Sequence, residues 1–281
     1  MRRFIRPVAF EAKNEQNTTR MSILYSFDRP CYLENETNMS PEHADTQEAS
    51  ERSIANMFNR LAPRYDFLNR LLSAGQDQRW RKTLIRRLEF KSEQAVYLDV
   101  ATGTGDLLLL AEKLHPQVQL IGVDISTSML EKAETKVQKK KKHPDSYFEF
   151  RLMSATDLHF KDQSIDCLSI SFGLRNVVDK EKAISEFYRV LKPGGKLLIL
   201  EFFKSSHNIG HQLFQKYFHR ILPRIGGLFS DKSAYEYLPK SVEGFYSVEQ
   251  LQGKLRELSF EPTFIKRFLF GACALIEVKK I

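Results

Sequence analysis

The segment from Asp99 to Asp106, with the sequence DVATGTGD, has the residue types and spacing of a ligand-binding loop. It follows an apolar run of strand length and precedes a leucine-rich run with helical character. In open α/β sheets, ligands bind beyond the carboxyl ends of the strands, and glycine there lets the backbone approach a ligand closely. We therefore expect Gly103 and Gly105 to lie at a ligand-binding site.

The charges around these glycines restrict the chemistry of the ligand. A dinucleotide-binding fingerprint needs a third glycine where this chain has Leu108, and a phosphate-binding loop needs a lysine that this segment lacks. Asp106, at the start of the following helix, would repel a diphosphate, and Asp99 adds a second negative charge. Neither carboxylate would repel a ligand that carries an ammonium and a sulfonium group.

Asp124 ends the next apolar run, QLIGVD, and is the third acidic residue of this constellation. An acidic residue at the end of the second strand can accept hydrogen bonds from ribose hydroxyls. The three aspartates together predict a ligand with a ribose, a positively charged tail and no phosphate, and S-adenosylmethionine fits that description. The alternative, a tight turn followed by a capped helix, accounts for the glycines alone.

The elements that would position these residues are strands and helices that alternate after residue 95. Five apolar runs have strand length: AVYLDV, QLIGVD, YFEFRLM, IDCLSISF and KLLILEFF. Helical segments separate most of them, and Pro193, Gly194 and Gly195 are expected to end the last of these helices. Fully apolar strands suit a parallel sheet that helices cover on both faces. The sequence thus predicts an α/β fold with a doubly wound, mostly parallel, Rossmann-like sheet.

The first 90 residues are expected to form an extension and a helical layer. Residues 1–50 make a poor organellar presequence and include a polar, aperiodic stretch, so we expect a disordered or poorly ordered extension. Amphipathic periodicity then predicts helices over 53–90, at the start of a single domain that spans 51–281.

Composition argues against several classes of protein. Three cysteines without a CxxC pair predict neither a metal site nor a disulfide framework, and the absence of an 18-residue apolar run predicts no transmembrane helix. A net charge of +8 suits either nucleic acid or an anionic membrane surface. Because no base-stacking platform of aromatic and basic residues is evident, we expect a membrane surface and no nucleic acid as partner.

Several motifs resemble a known family. DVATGTGD, GVDISTSML and RVLKPGGKLLILEF resemble class I S-adenosylmethionine-dependent methyltransferases. SFGLRNV at 171–177, RYDFLNRLLSAG at 64–75 and YEYLPKSVEGF at 235–245 resemble, more specifically, the ubiquinone/menaquinone biosynthesis C-methyltransferases. The resemblance covers about residues 53–281. It implies a seven-stranded class I methyltransferase sheet and S-adenosylmethionine as cofactor. The cofactor contacts it implies are Thr104, Asp124, Ser154, Ala155 and Ser171.

The resemblance also implies an activity and a location. The expected reaction methylates a ring carbon of a polyprenylated quinol. The expected enzyme is cytoplasmic and peripherally associated with the inner face of the membrane, which is the mitochondrial matrix side in a eukaryote. Demethylmenaquinol is preferred over the ubiquinone-pathway benzoquinol because residues 1–50 make a poor organellar presequence. Another small-molecule or RNA substrate and a catalytically silent scaffold stay open as alternatives. A homodimer or a quinone-biosynthesis complex is the expected assembly.

Methyl transfer to carbon requires alignment of the reacting atoms, a route for the hydroxyl proton and exclusion of water. Arg175 and Asn176 follow the fourth strand and are the candidate catalytic residues. Arg175 would stabilise developing phenolate charge or hold a water that accepts the proton, and Asn176 would orient the quinol oxygen. The candidate substrate and lid residues are Tyr65, Asp66 and Asn69 in the N-terminal helices, with Tyr217 and His219 in a lid over about 204–240.

Some positions depart from the family's pattern. Family members often have glycine where this chain has Ala101 and Thr102. We expect that difference to matter little, because neither residue needs to approach the ligand most closely. Asp77 stands where the family usually has histidine, so no role in catalysis or quinol binding is carried over to that position.

Overall fold

The computed structural model describes residues 41–73, 75–204, 237 and 240–281. The strands in this part of the chain are β1 (Val96–Val100), β2 (Gln119–Asp124), β3 (Phe148–Leu152), β4 (Ile165–Ser171), β5 (Leu191–Phe202), β6 (Phe260–Phe268) and β7 (Cys273–Lys280). They form one sheet in the order β3-β2-β1-β4-β5-β7-β6. The first five strands pair in parallel, and β7 pairs antiparallel with β5 and β6. The predicted doubly wound, mostly parallel sheet is confirmed.

The helices in the same ranges are α1 (Pro41–Leu61), α2 (Tyr65–Leu72), α3 (Asp77–Ile85), α4 (Asp106–Glu112), α5 (Thr127–Lys140), α6 (Lys180–Val190) and α7 (Val248–Glu257). Short 3-10 helices span Ala62–Arg64, Leu174–Asn176 and Leu269–Gly271. Within the described ranges, no helix has both the length and the apolar character needed to cross a membrane.

The sheet has an apolar core on each face, because alternate strand residues point to opposite sides. Leu98 and Val100 of β1 belong to a core that includes buried residues of α6 and α7. Tyr97, the residue before Leu98, belongs to a second core that includes buried residues of α3, α4 and α5. This two-sided burial explains why the strand sequences are apolar throughout.

The site lies where the strand order of the sheet reverses. β1 lies between β2 and β4, and the chain leaves β1 through α4 to reach β2 on one side before it returns to β4 on the other. A crevice opens at the carboxyl ends of the strands at such a switch point. The DVATGTGD segment begins within β1 and continues directly into α4, so the fold places it at this crevice.

Two predicted boundaries are corrected. Helix α1 begins at Pro41 and not at residue 53, so residues 41–50 belong to a helix and not to the poorly ordered extension. Proline fits the first position of a helix, where no backbone N–H is needed, and a helix rich in polar residues shows little hydrophobic periodicity. Helix α6 ends at Val190, and Pro193 lies inside β5, opposite a register irregularity in β4.

Other predictions fall outside the described residues. These are the extension over residues 1–40 and nearly all of the lid over about 204–240, with its candidate substrate residues Tyr217 and His219.

Candidate active site

A cleft with an empty volume of about 650 Å3, counting its open mouth, lies at the carboxyl ends of the parallel strands. Its sheet side is formed by segments that follow β1 to β4 and includes Gly103, Asp124, Ser154, Ala155 and Asn176. Its opposite wall is formed by α1 and α2, which we call the cover helices, through Ile54, Phe58 and Tyr65. The cleft therefore lies between the sheet and the N-terminal helices.

The glycine loop has a backbone conformation that explains both glycines. Gly103 has φ +56° and Gly105 has φ +76°, values in the left-handed region that side chains disfavour. A Cβ added to Gly105 would also lie 3.2 Å from the Cβ of Ala133 on α5. The loop thus turns sharply from β1 into α4 while it packs closely against α5.

Asp124 fixes the glycine loop as well as lining the cleft. Its Oδ2 accepts a hydrogen bond of 2.8 Å from the backbone N–H of Gly103, and its Oδ1 accepts one of 2.9 Å from that of Ser126. A carboxylate oxygen has a further lone pair, so both oxygens can still accept from a ligand hydroxyl. Burial raises the pKa of Asp124 to about 6, against the lowering effect of these backbone hydrogen bonds.

Asp99 is buried beneath the loop and does not line the cleft. Its carboxylate accepts hydrogen bonds from the hydroxyls of Thr102 (2.8 Å) and Ser169 (2.6 Å), and the hydroxyl of Tyr97 lies 2.6 Å from that of Ser169. Burial raises the pKa of Asp99 to about 6. Asp99 therefore supports the glycine loop from below. Its carboxylate does not face the ligand, contrary to the prediction from the sequence, and it affects ligand binding only by supporting this loop.

Thr104 and Asp106 also point away from the cleft. The Thr104 hydroxyl donates to Oδ1 of Asp66 at 2.6 Å, and Nζ of Lys136 donates to Thr104, Asp66 and Asp106 at 2.6 to 2.8 Å. The negative charge of Asp106, which was expected to disfavour a phosphate, is therefore paired with a lysine. The sequence offered no signal for this pairing, because Lys136 lies on α5, 30 residues further along the chain.

Ser154, Ala155 and Ser171 follow β3 or end β4. Ser154 and Ala155 line the cleft, and the Ser154 hydroxyl lies 2.8 Å from that of Thr156. The hydroxyl oxygen of Ser171 is buried and has no hydrogen-bond partner among the described residues. Such a group normally has a partner when buried, but Ser171 is not among the residues that line the cleft.

The two candidate catalytic residues differ in their surroundings. Asn176 lines the cleft; its Nδ2 donates to the carbonyl oxygen of Phe172 at 3.2 Å, while its Oδ1 has no partner among the described residues. Arg175 does not line the cleft, and its Nη1 donates to Oε1 of Glu201 at 2.6 Å and to the Phe172 carbonyl at 2.8 Å. The buried pair with Glu201 joins the segment after β4 to the end of β5.

The candidate residues of α2 divide into two groups. Tyr65 lines the cleft, and its ring lies edge-on to that of Phe58 at a centroid distance of 6.1 Å. Burial raises the pKa of Tyr65. Asp66 faces Lys136 and the glycine loop, and Nδ2 of Asn69 is buried without a partner in the described ranges.

Two departures from the family's pattern now have a structural context. Ala101 lines the cleft and has φ +51°, a conformation that costs an alanine about 1–2 kcal/mol relative to glycine. The difference from glycine therefore has a backbone cost at Ala101, while its small effect on the ligand stays a prediction. Asp77 is buried at the start of α3, where it accepts from the Ser73 hydroxyl at 2.9 Å and lies 3.8 Å from Nε of Arg81.

Several residues of this region have no local signature in the sequence that points to the cleft. Ile54 and Phe58 were recognised only as part of an apolar helix face, and that face lines the cleft. Glu51, Lys136 and Glu201 gave no local signal, because their contacts are with distant parts of the chain.

The sheet order and the cleft at its switch point define a class I methyltransferase fold. Solved structures with this fold include the [4+2]-cyclase SpnF (TM-score 0.61, 16% identity, 82% of this chain and 96% of that one). They also include the geranyl diphosphate C-methyltransferase of Streptomyces coelicolor (TM-score 0.56, 14% identity, 73% and 79%). At these identities the similarity shows the fold alone.

The chain belongs to the ubiE/COQ5 methyltransferase family, whose model matches residues 46–280. It is 42% identical to the ubiquinone/menaquinone biosynthesis C-methyltransferase UbiE of Geobacter sulfurreducens, over 83% of this chain and 90% of that protein. It is 40% identical to the demethylmenaquinone methyltransferase of Thermus thermophilus, over 78% and 97%. The predicted family is confirmed, and this family implies S-adenosylmethionine as cofactor.

The residues present fit that cofactor. Glu51 and Asp124 are the charged residues that line the cleft, and neither lysine nor arginine is among the described lining residues. A carboxylate-lined, largely apolar cleft suits a ligand with a ribose and a cationic tail better than a phosphate ester. Asp124 would hold the ribose, and Ser154 and Ala155 would lie along the adenine.

The pKa of Asp124 predicts a pH dependence of cofactor binding. A carboxylate that accepts ribose hydrogen bonds must be ionised, so affinity for S-adenosylhomocysteine should fall by up to about tenfold per pH unit below about pH 6. Isothermal titration calorimetry between about pH 7.5 and 5 measures this, with Asp124→Asn expected to bind weakly at pH 7.5 and to show a flatter profile.

The melting temperature of the free protein is the control. Because the pKa values of Asp99 and Asp124 are raised in the folded protein, their ionised forms cost stability above about pH 6. Protonation below that pH relieves this cost. The titration of these two groups therefore cannot lower the melting temperature. Constant affinity of the wild-type protein down to pH 5 would contradict the ribose assignment.

Proposed function

We propose that this protein transfers the methyl group of S-adenosylmethionine to a ring carbon of a polyprenylated quinol, and that demethylmenaquinol is its substrate. The observation that carries the proposal is the family match over residues 46–280, which includes both walls of the cleft. The Thermus thermophilus relative supports the menaquinone pathway by its name. The Geobacter sulfurreducens relative is named for both pathways, so the ubiquinone-pathway benzoquinol is the second candidate.

The mechanism assigns separate tasks to the residues around the cleft. S-adenosylmethionine supplies an electrophilic methyl group when bound. Oδ1 of Asn176, which lacks a protein partner, would accept a hydrogen bond from the quinol hydroxyl, while Nδ2 holds the side chain on the Phe172 carbonyl. The apolar side chains Ile54 and Phe58 of the cover helices exclude water from the reacting atoms.

Arg175 is proposed to act on the developing phenolate from outside the cleft lining. Its Nε is buried and has no partner among the described residues, although Nη1 is held by Glu201. Tyr237 lies near this pair: burial raises the pKa of its phenol, the charge of Arg175 lowers it, and that of Glu201 raises it. A guanidinium held this way supplies a fixed positive field that stabilises the oxyanion, while the hydroxyl proton passes to a water molecule, because arginine is too weak a base to accept it.

We predict that Arg175→Met lowers the single-turnover rate by roughly 100-fold, with little change in S-adenosylmethionine affinity. That variant also leaves the buried Glu201 unpaired, which costs about 3–5 kcal/mol of stability. The double variant Arg175→Met/Glu201→Gln removes both charges and is expected to melt at a higher temperature than the single variant while the rate stays low. Recovery of the rate together with the melting temperature would make Arg175 a purely structural residue.

The quinone pool tests the substrate. In cells that lack this protein, mass spectrometry should find demethylmenaquinone in place of menaquinone, and the purified protein should methylate a reduced short-chain demethylmenaquinone. Accumulation of the unmethylated benzoquinone instead would select the ubiquinone pathway. Binding of S-adenosylmethionine with no change in either quinone would support a catalytically silent scaffold.

We also propose a cytoplasmic enzyme that touches the membrane with the edge of the sheet on which the cleft opens. Large apolar side chains that are exposed at this edge are Phe67, Leu152, Val178 and Phe270. Phe270 is 78% exposed at the tip of the β6–β7 turn, and β7 begins opposite the carboxyl end of β5. An apolar edge on a basic protein favours anionic lipid, where a polyprenylated substrate resides.

Vesicle flotation tests this membrane contact. Phe270→Ser should lower the fraction bound to vesicles of phosphatidylcholine and phosphatidylglycerol, while the rate with a short-chain quinol in solution is unchanged. Leu114→Ser is the matched control, because Leu114 is 55% exposed and follows α4 at the opposite edge of the sheet. Equal losses in the two variants would contradict the proposed orientation. Sedimentation in the same buffer would test the expected homodimer.

A further inference from the structure

Lys136 joins three separate parts of the structure. It lies on α5, and its Nζ donates to Oδ2 of Asp66 at the start of α2 (2.6 Å), to the Thr104 hydroxyl in the glycine loop (2.6 Å) and to Oδ1 of Asp106 at the start of α4 (2.8 Å). Its side chain is only 13% exposed. All three donors of the ammonium group are therefore used, each on a different segment.

The ammonium group compensates two carboxylates that would otherwise repel each other. Burial raises the pKa of Asp66, but the hydrogen bonds from Lys136 and Thr104 and the charge of Lys136 outweigh it, so the pKa lies below its usual value. Asp66 is consequently ionised at neutral pH. Without Lys136, Asp66 and Asp106 would present two like charges in a partly buried region.

The cluster of Lys136, Asp66, Thr104 and Asp106 is connected to both walls of the cleft. Asp66 follows Tyr65, which lines the cleft and whose Cε1 lies 3.5 Å from the position of a Cβ on Gly103. Thr104 follows Gly103, whose N–H is bonded to Asp124. The Asp66–Lys136–Thr104 contacts therefore fasten the cover helices to the loop that forms the opposite wall of the cleft.

We propose that Lys136 is a positioning residue for cofactor binding: it holds the cover helices against the glycine loop and thereby slows release of the bound cofactor. Because Lys136 does not line the cleft, it acts through Asp66 and Thr104 and not on the ligand. This inference rests on the proposed use of S-adenosylmethionine. It assigns to Lys136 a role in the dissociation rate and none in the methyl-transfer step.

The test compares four variants of the full chain: Lys136→Met, Lys136→Arg, Asp66→Asn and Lys139→Met. Lys139 is the matched control, because it is exposed on the same helix α5. Surface plasmon resonance gives the dissociation rate of S-adenosylhomocysteine, and rapid quench at saturating S-adenosylmethionine gives the single-turnover rate. Melting temperatures are measured on the same preparations.

Lys136→Met and Asp66→Asn are each expected to speed cofactor release by roughly tenfold or more, as the loss of charge-assisted hydrogen bonds implies. Lys136→Arg should recover part of the loss, and Lys139→Met should match the wild type. The single-turnover rate at saturating S-adenosylmethionine should fall by a much smaller factor than the release rate rises, because neither Lys136 nor Asp66 lines the cleft. The double variant Lys136→Met/Asp66→Asn should release the cofactor no faster than Lys136→Met, since that substitution already removes the contact with Asp66.

Unchanged release in Lys136→Met and Asp66→Asn would overturn the proposal even if the melting temperature fell, because Lys136 would then be structural only. A fall in the single-turnover rate as large as the change in release would overturn it too. If Lys136→Met does not fold, Asp66→Asn, which preserves shape, decides by the same criteria. A wild-type protein that does not bind the cofactor would refute the proposed function itself, whereas normal wild-type binding with unaffected variants refutes only the role of Lys136.

Discussion

The hydrogen bond from the backbone N–H of Gly103 to Asp124 is the interaction on which the site depends. It joins the loop after β1 to the end of β2. The other carboxylate oxygen of Asp124 accepts a hydrogen bond from the backbone N–H of Ser126, the residue that precedes α5. The loop can approach the Asp124 carboxylate this closely because Gly103 has a left-handed backbone conformation. A carboxylate expected to bind ribose therefore also shapes its own pocket, and two backbone donors offset part of its burial cost.

Most other charges near the cleft are compensated by protein groups. Asp99 is bonded to two hydroxyls, Asp106 to Lys136, and Arg175 to Glu201. Among the described lining residues, the carboxylates left facing the cleft are those of Asp124 and Glu51. These carboxylates, one on each wall, give a largely apolar cleft a negative charge, which favours a cationic ligand and disfavours a phosphate.

The sequence predicted the sheet and the sheet side of the cleft, because both follow from local patterns. Apolar strands, the glycine spacing and the position of Asp124 are visible in short segments. The pairs Lys136–Asp66 and Arg175–Glu201 are not, since they join residues 70 and 26 positions apart and depend on how helices pack on the sheet. The start of α1 was missed because its first ten residues are polar, and the left-handed Ala101 because only glycine announces that conformation in sequence.

Periodicity also cannot distinguish a helix face that covers a core from one that covers a cleft, since both exclude water. Ile54 and Phe58 continue the apolar stripe of α1, yet they line the cleft. The polar contacts of the cover helices with the rest of the domain include Asn59, which accepts from Ser126 at 2.6 Å, and Asp66 with Lys136. Segments held by a few polar contacts open at lower free energy than a packed core. The polar contacts of the cover helices therefore bear directly on how firmly these helices are held at the cleft, whereas the apolar strands of the sheet are held by the packed core.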